Sequence, residues 1–246
     1  MQSSRKHKYV LYGLIAMPLI FAIVIPLFSY LPMVDAGMSP GELPPFVPPG
    51  NPSQEVIAES MANMIQIMFM FIPATIPSII ASYTIVGEKI NKQLEPLLAT
   101  PTSDLELLLG KGLGAFLPAM GAAYVSFVGL VTVIDVISLN SLNFLPLPNF
   151  LSLVVVLLYS PLACILSTSW SVFISSKVSD IRAATQLGPI GAIPVFGFFF
   201  LFIGGLISTD WKILLLFTVV LSGLAAGFFY LSNITFRREA ILTEWK

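Results

Sequence analysis

Six times along this chain more than 20 residues pass without a charged side chain: 9–34, 60–86, 112–134, 150–176, 183–209 and 213–236. A helix needs about 20 apolar residues to cross a hydrocarbon layer of roughly 30 Å. The stretch from 136 to 176 also lacks charge but is too long for one crossing. Its segment NSLNFLPLPN, with closely spaced prolines and asparagines, supplies the break. The expected fold is therefore an all-α integral membrane protein with six transmembrane helices, at about 9–31, 60–86, 109–135, 150–176, 184–208 and 213–236. Residues 1–246 are expected to form one transmembrane domain.

Composition agrees with lipid as the main solvent. Only 10% of the 246 residues are charged and 56% are hydrophobic, whereas an ordinary soluble domain carries roughly 25% charged residues. The net charge of −1 gives no reason to expect nucleic acid. Cys164 is the one cysteine, so no intrachain disulfide and no multi-cysteine metal site can form. The basic start followed by a long apolar run exceeds a signal-peptide h-region of about 7–15 residues, and no A-x-A-like cleavage site follows. A retained span is expected there.

Basic residues orient the chain. Arg5, Lys6, Lys8, Lys89, Lys92, Lys111, Lys177, Arg182, Arg237, Arg238 and Lys246 fall on one side of the six-span scheme, and Lys212 alone on the other. The positive-inside bias predicts a multi-pass cell-membrane protein with both termini cytoplasmic. The largest outer piece, 32–59, is Pro-rich and acidic and reads as an extended loop.

Polar residues within the spans are few. Asn63 and Gln66 share a face of the second span, and Ser167 and Ser171 a face of the fourth. Interhelix hydrogen bonding is the first reading of both pairs, and contact with a solute in a pathway is the second. Pro73, Pro77, Pro118, Pro161, Pro189 and Pro194 act either as hinges or as simple packing bends. Asp135 is expected at the water-accessible end of the third span. Enzyme constellations are missing. His7, the single histidine, lies outside the spans. No acidic pair is placed to hold magnesium, and the Gly110–Lys111 pair lacks the remaining P-loop residues.

The segment GEKINKQLEPLLATPTSDLELLLGK, 87–111, holds seven charged residues between two apolar runs. Ile90, Leu94, Leu97 and Leu98 recur at helical spacing. Pro96 biases Glu95 away from helix and suits the first position of a new turn, which Pro101 ends. SDLE, 103–106, has the capping-box pattern ahead of the third span. A short amphipathic element between two membrane helices seeks either the lipid interface or a groove on a partner.

This segment resembles the signature of type-2 ABC exporter permeases. The matching positions are Glu88, Lys89, Leu94, Glu95, Leu97, Leu98, Thr100, Pro101, Ser103, Leu108, Leu109, Gly110 and Lys111. Ile90, Lys92 and Gln93 stand where that family has an acid and then Gly-Thr. The segment SSKVSDIRAATQLGPIGAIP is similar to the one leading into the family's fifth span. The resemblance implies a permease domain over 1–246 whose loop 87–108 is a coupling helix docked on a separate ABC ATPase subunit. Glu88, Leu94, Glu95, Pro96, Leu97, Leu98 and Pro101 would then make the main contact, and Lys177, Asp180 and Arg182 a lighter one. It further implies two permeases, identical or sister chains, with two ATPases. ATP and magnesium would be held by the ATPases and no cofactor or metal by this chain. Membrane lipid is the remaining partner, and no solute is named. A non-transporting anchor that relays force from an ATPase is the competing function, and an intramembrane enzyme is disfavoured by the missing constellations.

Overall fold

The computed structural model describes residues 16–36, 43–50, 52–90, 104–178 and 180–235. The described chain is all-helical, and the expectation of six helices long and apolar enough to span a membrane holds. The spans are Ala16–Val34, Gln54–Glu88, Glu106–Leu142, Phe150–Lys177, Ile181–Ile203 and Trp211–Thr235. We label the helices α1 (Ala16–Val34), α2 (Gln54–Phe69), α3 (Phe71–Ile90), α4 (Asp104–Leu142), α5 (Phe150–Lys177), α6 (Ile181–Ile203) and α7 (Trp211–Thr235). Phe28, Leu117, Val128, Phe150, Leu157, Phe200 and Leu216 are all exposed. Water would not tolerate so many large apolar side chains on a surface, whereas acyl chains do.

Proline placement explains much of the local geometry. Pro73 lacks the N–H that would reach the carbonyl of Phe69, and its ring crowds that carbonyl. The second span accordingly breaks at Met70, where a tightened turn bonds Met70 N–H to Ile67 O at 3.2 Å. Pro26 opens a π-helical turn at Pro26–Tyr30, and a second π turn, Val155–Tyr159, runs up to Pro161. Wider turns of this kind absorb a missing hydrogen bond. Pro189 falls in the 3-10 turn Gly188–Ala192, and Pro194 in the first turn of the helix that follows, where an absent N–H costs little. Pro77 and Pro118 are the interior exceptions. Helix α4 continues past Asp135 to Leu142 and ends with Asn143 at φ 53°, a left-handed stop that asparagine tolerates.

The chain divides into two compact units. The first comprises the described residues within 1–72, 121–159 and 196–217. Within it α2 packs against the turn Pro26–Tyr30 and against Phe150–Val154. Its core is aromatic: Phe198 stacks on Phe217 at 3.9 Å, Tyr159 meets Phe217 edge-on, and Phe71 touches Phe196 and Phe199. Such pairs contribute about 0.5–1.5 kcal/mol each beyond their burial. The hydroxyls of the buried Tyr159 and Tyr30 find partners, with Tyr159 donating to Leu214 O at 2.7 Å and Tyr30 paired with Ser138 at 2.5 Å. Asp135 accepts the N–H of Leu147 at 3.2 Å, so its carboxylate ties α4 to the segment before α5.

The second unit comprises the described residues within 73–120, 160–195 and 218–246. Its core mixes small and larger aliphatic residues: Ala81, Ile85, Leu108, Ala115 and Val172 pack together beside Phe229, and Ala119, Met120 and Cys164 form a second cluster. The turn Gly188–Ala192 lies against Ser160–Lys177. A Cβ on Gly191 would come within 2.8 Å of Trp170, whose indole donates to Leu187 O at 3.0 Å. The missing side chain of Gly191 lets the indole lie directly on the turn, the kind of close packing expected where lipid removes the hydrophobic drive between helices.

Candidate functional site

The structure brings the two ends of the family-like segment together. Glu88, near the end of α3, forms an ion pair with Lys111 in the second turn of α4. Both side chains are largely shielded. Leu108 lies one turn before Lys111 and Ile85 just before Glu88, and both belong to the cluster with Ala81, Ala115 and Val172. The pair therefore sits on packed helix ends. Leu94, Glu95, Pro96, Leu97, Leu98 and Pro101 lie outside the described residues, as does Ser103 of the capping-box pattern.

The second expected contact segment is described. Lys177 closes the last turn of α5 and is exposed, a favourable place for a cation at a helix C-terminus. Asp180 is the N-cap of Ile181–Leu187, and its carboxylate accepts the N–H of Arg182 at 3.2 Å. Arg182 is exposed. Among the described residues no hydrogen bond or ion pair links Asp180 or Arg182 to Glu88.

The intramembrane polar residues separate into two clusters. In the first unit Gln66 is fully buried and accepts the hydroxyl proton of Ser152 at 2.6 Å, while its amide donates to Asn63 at 3.3 Å. Asn149 donates to the same Asn63 oxygen at 2.7 Å. Asn149 and Ser152 also form a capping box that starts α5. In the second unit Ser171 donates to Ser78 O at 2.7 Å and pairs with Ser82 at 2.5 Å. With its one proton committed to Ser78, Ser171 leaves Ser82 as donor in their pair, and Ala184 O lies 3.1 Å from the Ser82 hydroxyl. Ser167, one turn before Ser171, is buried without a hydrogen-bond partner among the described residues.

Several of these groups escape sequence reasoning. The N-x-x-S spacing at 149–152 carries a capping signal, and Ser78 with Ser82 repeats at i, i+4. Nothing in one sequence says that Ser152 should meet Gln66, or that Ser82 should meet Ser171. Glu88 and Lys111 stand apart by 23 positions and are joined only by folding.

Comparison with known proteins gives the class. A family model described as ABC-2 family transporter protein matches residues 48–231. The chain belongs to the ABC-2 transporter family and is a multi-pass membrane permease of that type. Members of this family are membrane subunits that are generally not catalytic themselves. No curated protein and no solved structure matches.

Proposed function

We propose that this chain is the membrane half of an ATP-driven exporter, with both termini cytoplasmic and loop 87–108 docked on a separate ABC ATPase. Two permease copies, or this chain with a sister chain, work with two ATPases that supply ATP and magnesium chemistry. The observation that carries the reading is the Glu88–Lys111 ion pair at the base of the family-like segment. It ties the end of α3 to the start of α4, so a load applied to 91–103 is shared by both helices. Pulling the two helix ends apart works against the attraction of this shielded pair, which makes the joint stiff toward separation. Leu94, Leu97 and Leu98 supply the apolar contact in this reading, Glu95 a polar one, and Lys177, Asp180 and Arg182 a lighter second contact. The eleven-to-one split of basic residues supports the orientation.

Three measurements test it. Purification from native membranes should bring down an ABC ATPase, and inverted vesicles holding both subunits should show ATP-dependent solute uptake. Cysteine placed at position 92 should resist external labelling in intact cells while cysteine at position 45 reacts. Loss of the ATPase from every preparation, or labelling at 92, would overturn the coupling and orientation claims respectively. An ATPase retained without transport of any solute would favour the force-relaying anchor instead.

A further inference from the structure

A cavity of about 540 Å³ opens in the first unit between the Pro-rich segment 45–49, α2 and the turn at 205–210. That size falls within the roughly 300–1,000 Å³ common for small-molecule sites. One wall carries Phe46 and Phe202, whose rings stack with centroids 5.7 Å apart. The polar part comes from Ser60, Asn63, Ser208, Thr209 and Asp210. Asn63 is held from behind, since its Oδ1 takes both Gln66 and Asn149 as donors. Gly205 fixes the rim: its φ of +67° and the 2.6 Å that would separate a Cβ from Pro45 O both demand glycine. The two walls thus touch backbone to backbone at that point.

Among the described residues lining the cavity, Asp210 alone is charged. It precedes α7 and its backbone carbonyl accepts the N–H groups of Ile213 and Leu214, both at 3.0 Å. Its carboxylate Oδ2 accepts the Ser208 hydroxyl at 2.8 Å. Lys212 does not line the cavity, and its ammonium lies 5.9 Å from the Trp211 ring centroid. A carboxylate in a cavity with an aromatic wall recognises an organic ammonium, because its charge favours a cation while the wall covers the apolar body. An anion would be repelled, and a neutral hydrocarbon would strip water from Asp210 and Asn63 without replacing it.

We propose that this cavity binds an organic amine in its ammonium form carrying a compact aromatic or branched apolar body. This assignment stands independently of the export reading and of the orientation of the chain. The test is calorimetric titration of the full chain in nanodiscs of zwitterionic lipid, with empty nanodiscs as the reference. The probes are phenylbutylamine, phenylbutanol and phenylbutyrate, which share a body and differ in head group. The amine should bind saturably and about tenfold more tightly than the other two. Asp210→Asn, which can still accept from Ser208, should bring the amine down to the level of the alcohol. Phe46→Ala, on the loop, provides a second reading and should weaken the amine by at least about threefold. Equal binding of the three probes, heats matching those of empty nanodiscs, or an amine preference untouched by either substitution would overturn the assignment.

Discussion

The two intramembrane polar clusters do one job by opposite means. In the first unit, Asn63, Gln66, Asn149 and Ser152 have mostly long side chains that reach across a normal helix spacing. In the second, Ser78, Ser82 and Ser171 have one-carbon arms, so their hydrogen bonds exist only where backbones nearly touch. Gly188 makes room for that approach: a Cβ there would lie 2.9 Å from Ser82 Oγ and 3.5 Å from Ser171 Oγ. The amide cluster should therefore be sensitive to lost partners, and the serine cluster to added bulk.

Bulk should give the largest effect. Gly188→Leu should destabilise the folded protein by about 3 kcal/mol, because the side chain must displace the Ser82 hydroxyl and force helices apart. Thermal unfolding in mild detergent measures this, and a melting temperature equal to the parent would refute the close-contact account. Gln66→Leu should cost about 1–3 kcal/mol, since Ser152 loses the shorter of its two acceptors and Asn63 loses a donor. The capping box of Asn149 and Ser152 should survive, so helix content by circular dichroism should stay unchanged while stability falls. The smallest effects form a matched pair. Ser171→Ala should cost about 0.5–1.5 kcal/mol, in the range of interhelix hydrogen bonds in membranes, while Ser167→Ala, one turn away and without a partner among the described residues, should change stability by less than about 0.5 kcal/mol. Equal losses at the two serines would remove the distinction between glue and filler on this helix.

The sequence showed the spans because uncharged length is a local property. Six runs of more than 20 residues, and a proline break near 146–148, are readable one window at a time. Helix ends were less legible. Helix α4 reaches Leu142 because Val136, Ile137 and Leu139 continue its apolar pattern past Asp135, and the carboxylate is used by Leu147 N–H. Proline gave the positions of irregular turns but not their kind. Pro73 broke a helix, Pro161 follows a π turn, and Pro118 lies inside an unbroken 39-residue helix, since neighbouring packing decides how the missing hydrogen bond is absorbed. Of the candidate site, Glu88 and Lys111 were visible as positions in a family-like motif, while their pairing is a tertiary fact. The cavity beside Asp210 was invisible, because its walls come from segments about 160 residues apart in sequence and its aromatic pair has no periodic signal.

Segment 87–108 is the proposed coupling element, and one double substitution addresses that role directly. Leu97→Ala with Leu98→Ala removes roughly 2–5 kcal/mol of apolar contact if both side chains are enclosed by a partner. The measurement is ATPase retained and ATP hydrolysed per permease after detergent purification, with unchanged helix content as the control on folding. The account predicts that the ATPase is lost, or that hydrolysis continues without coupled transport. A variant that keeps its ATPase and its full transport-linked hydrolysis would contradict it and would leave the leucines lying on lipid headgroups.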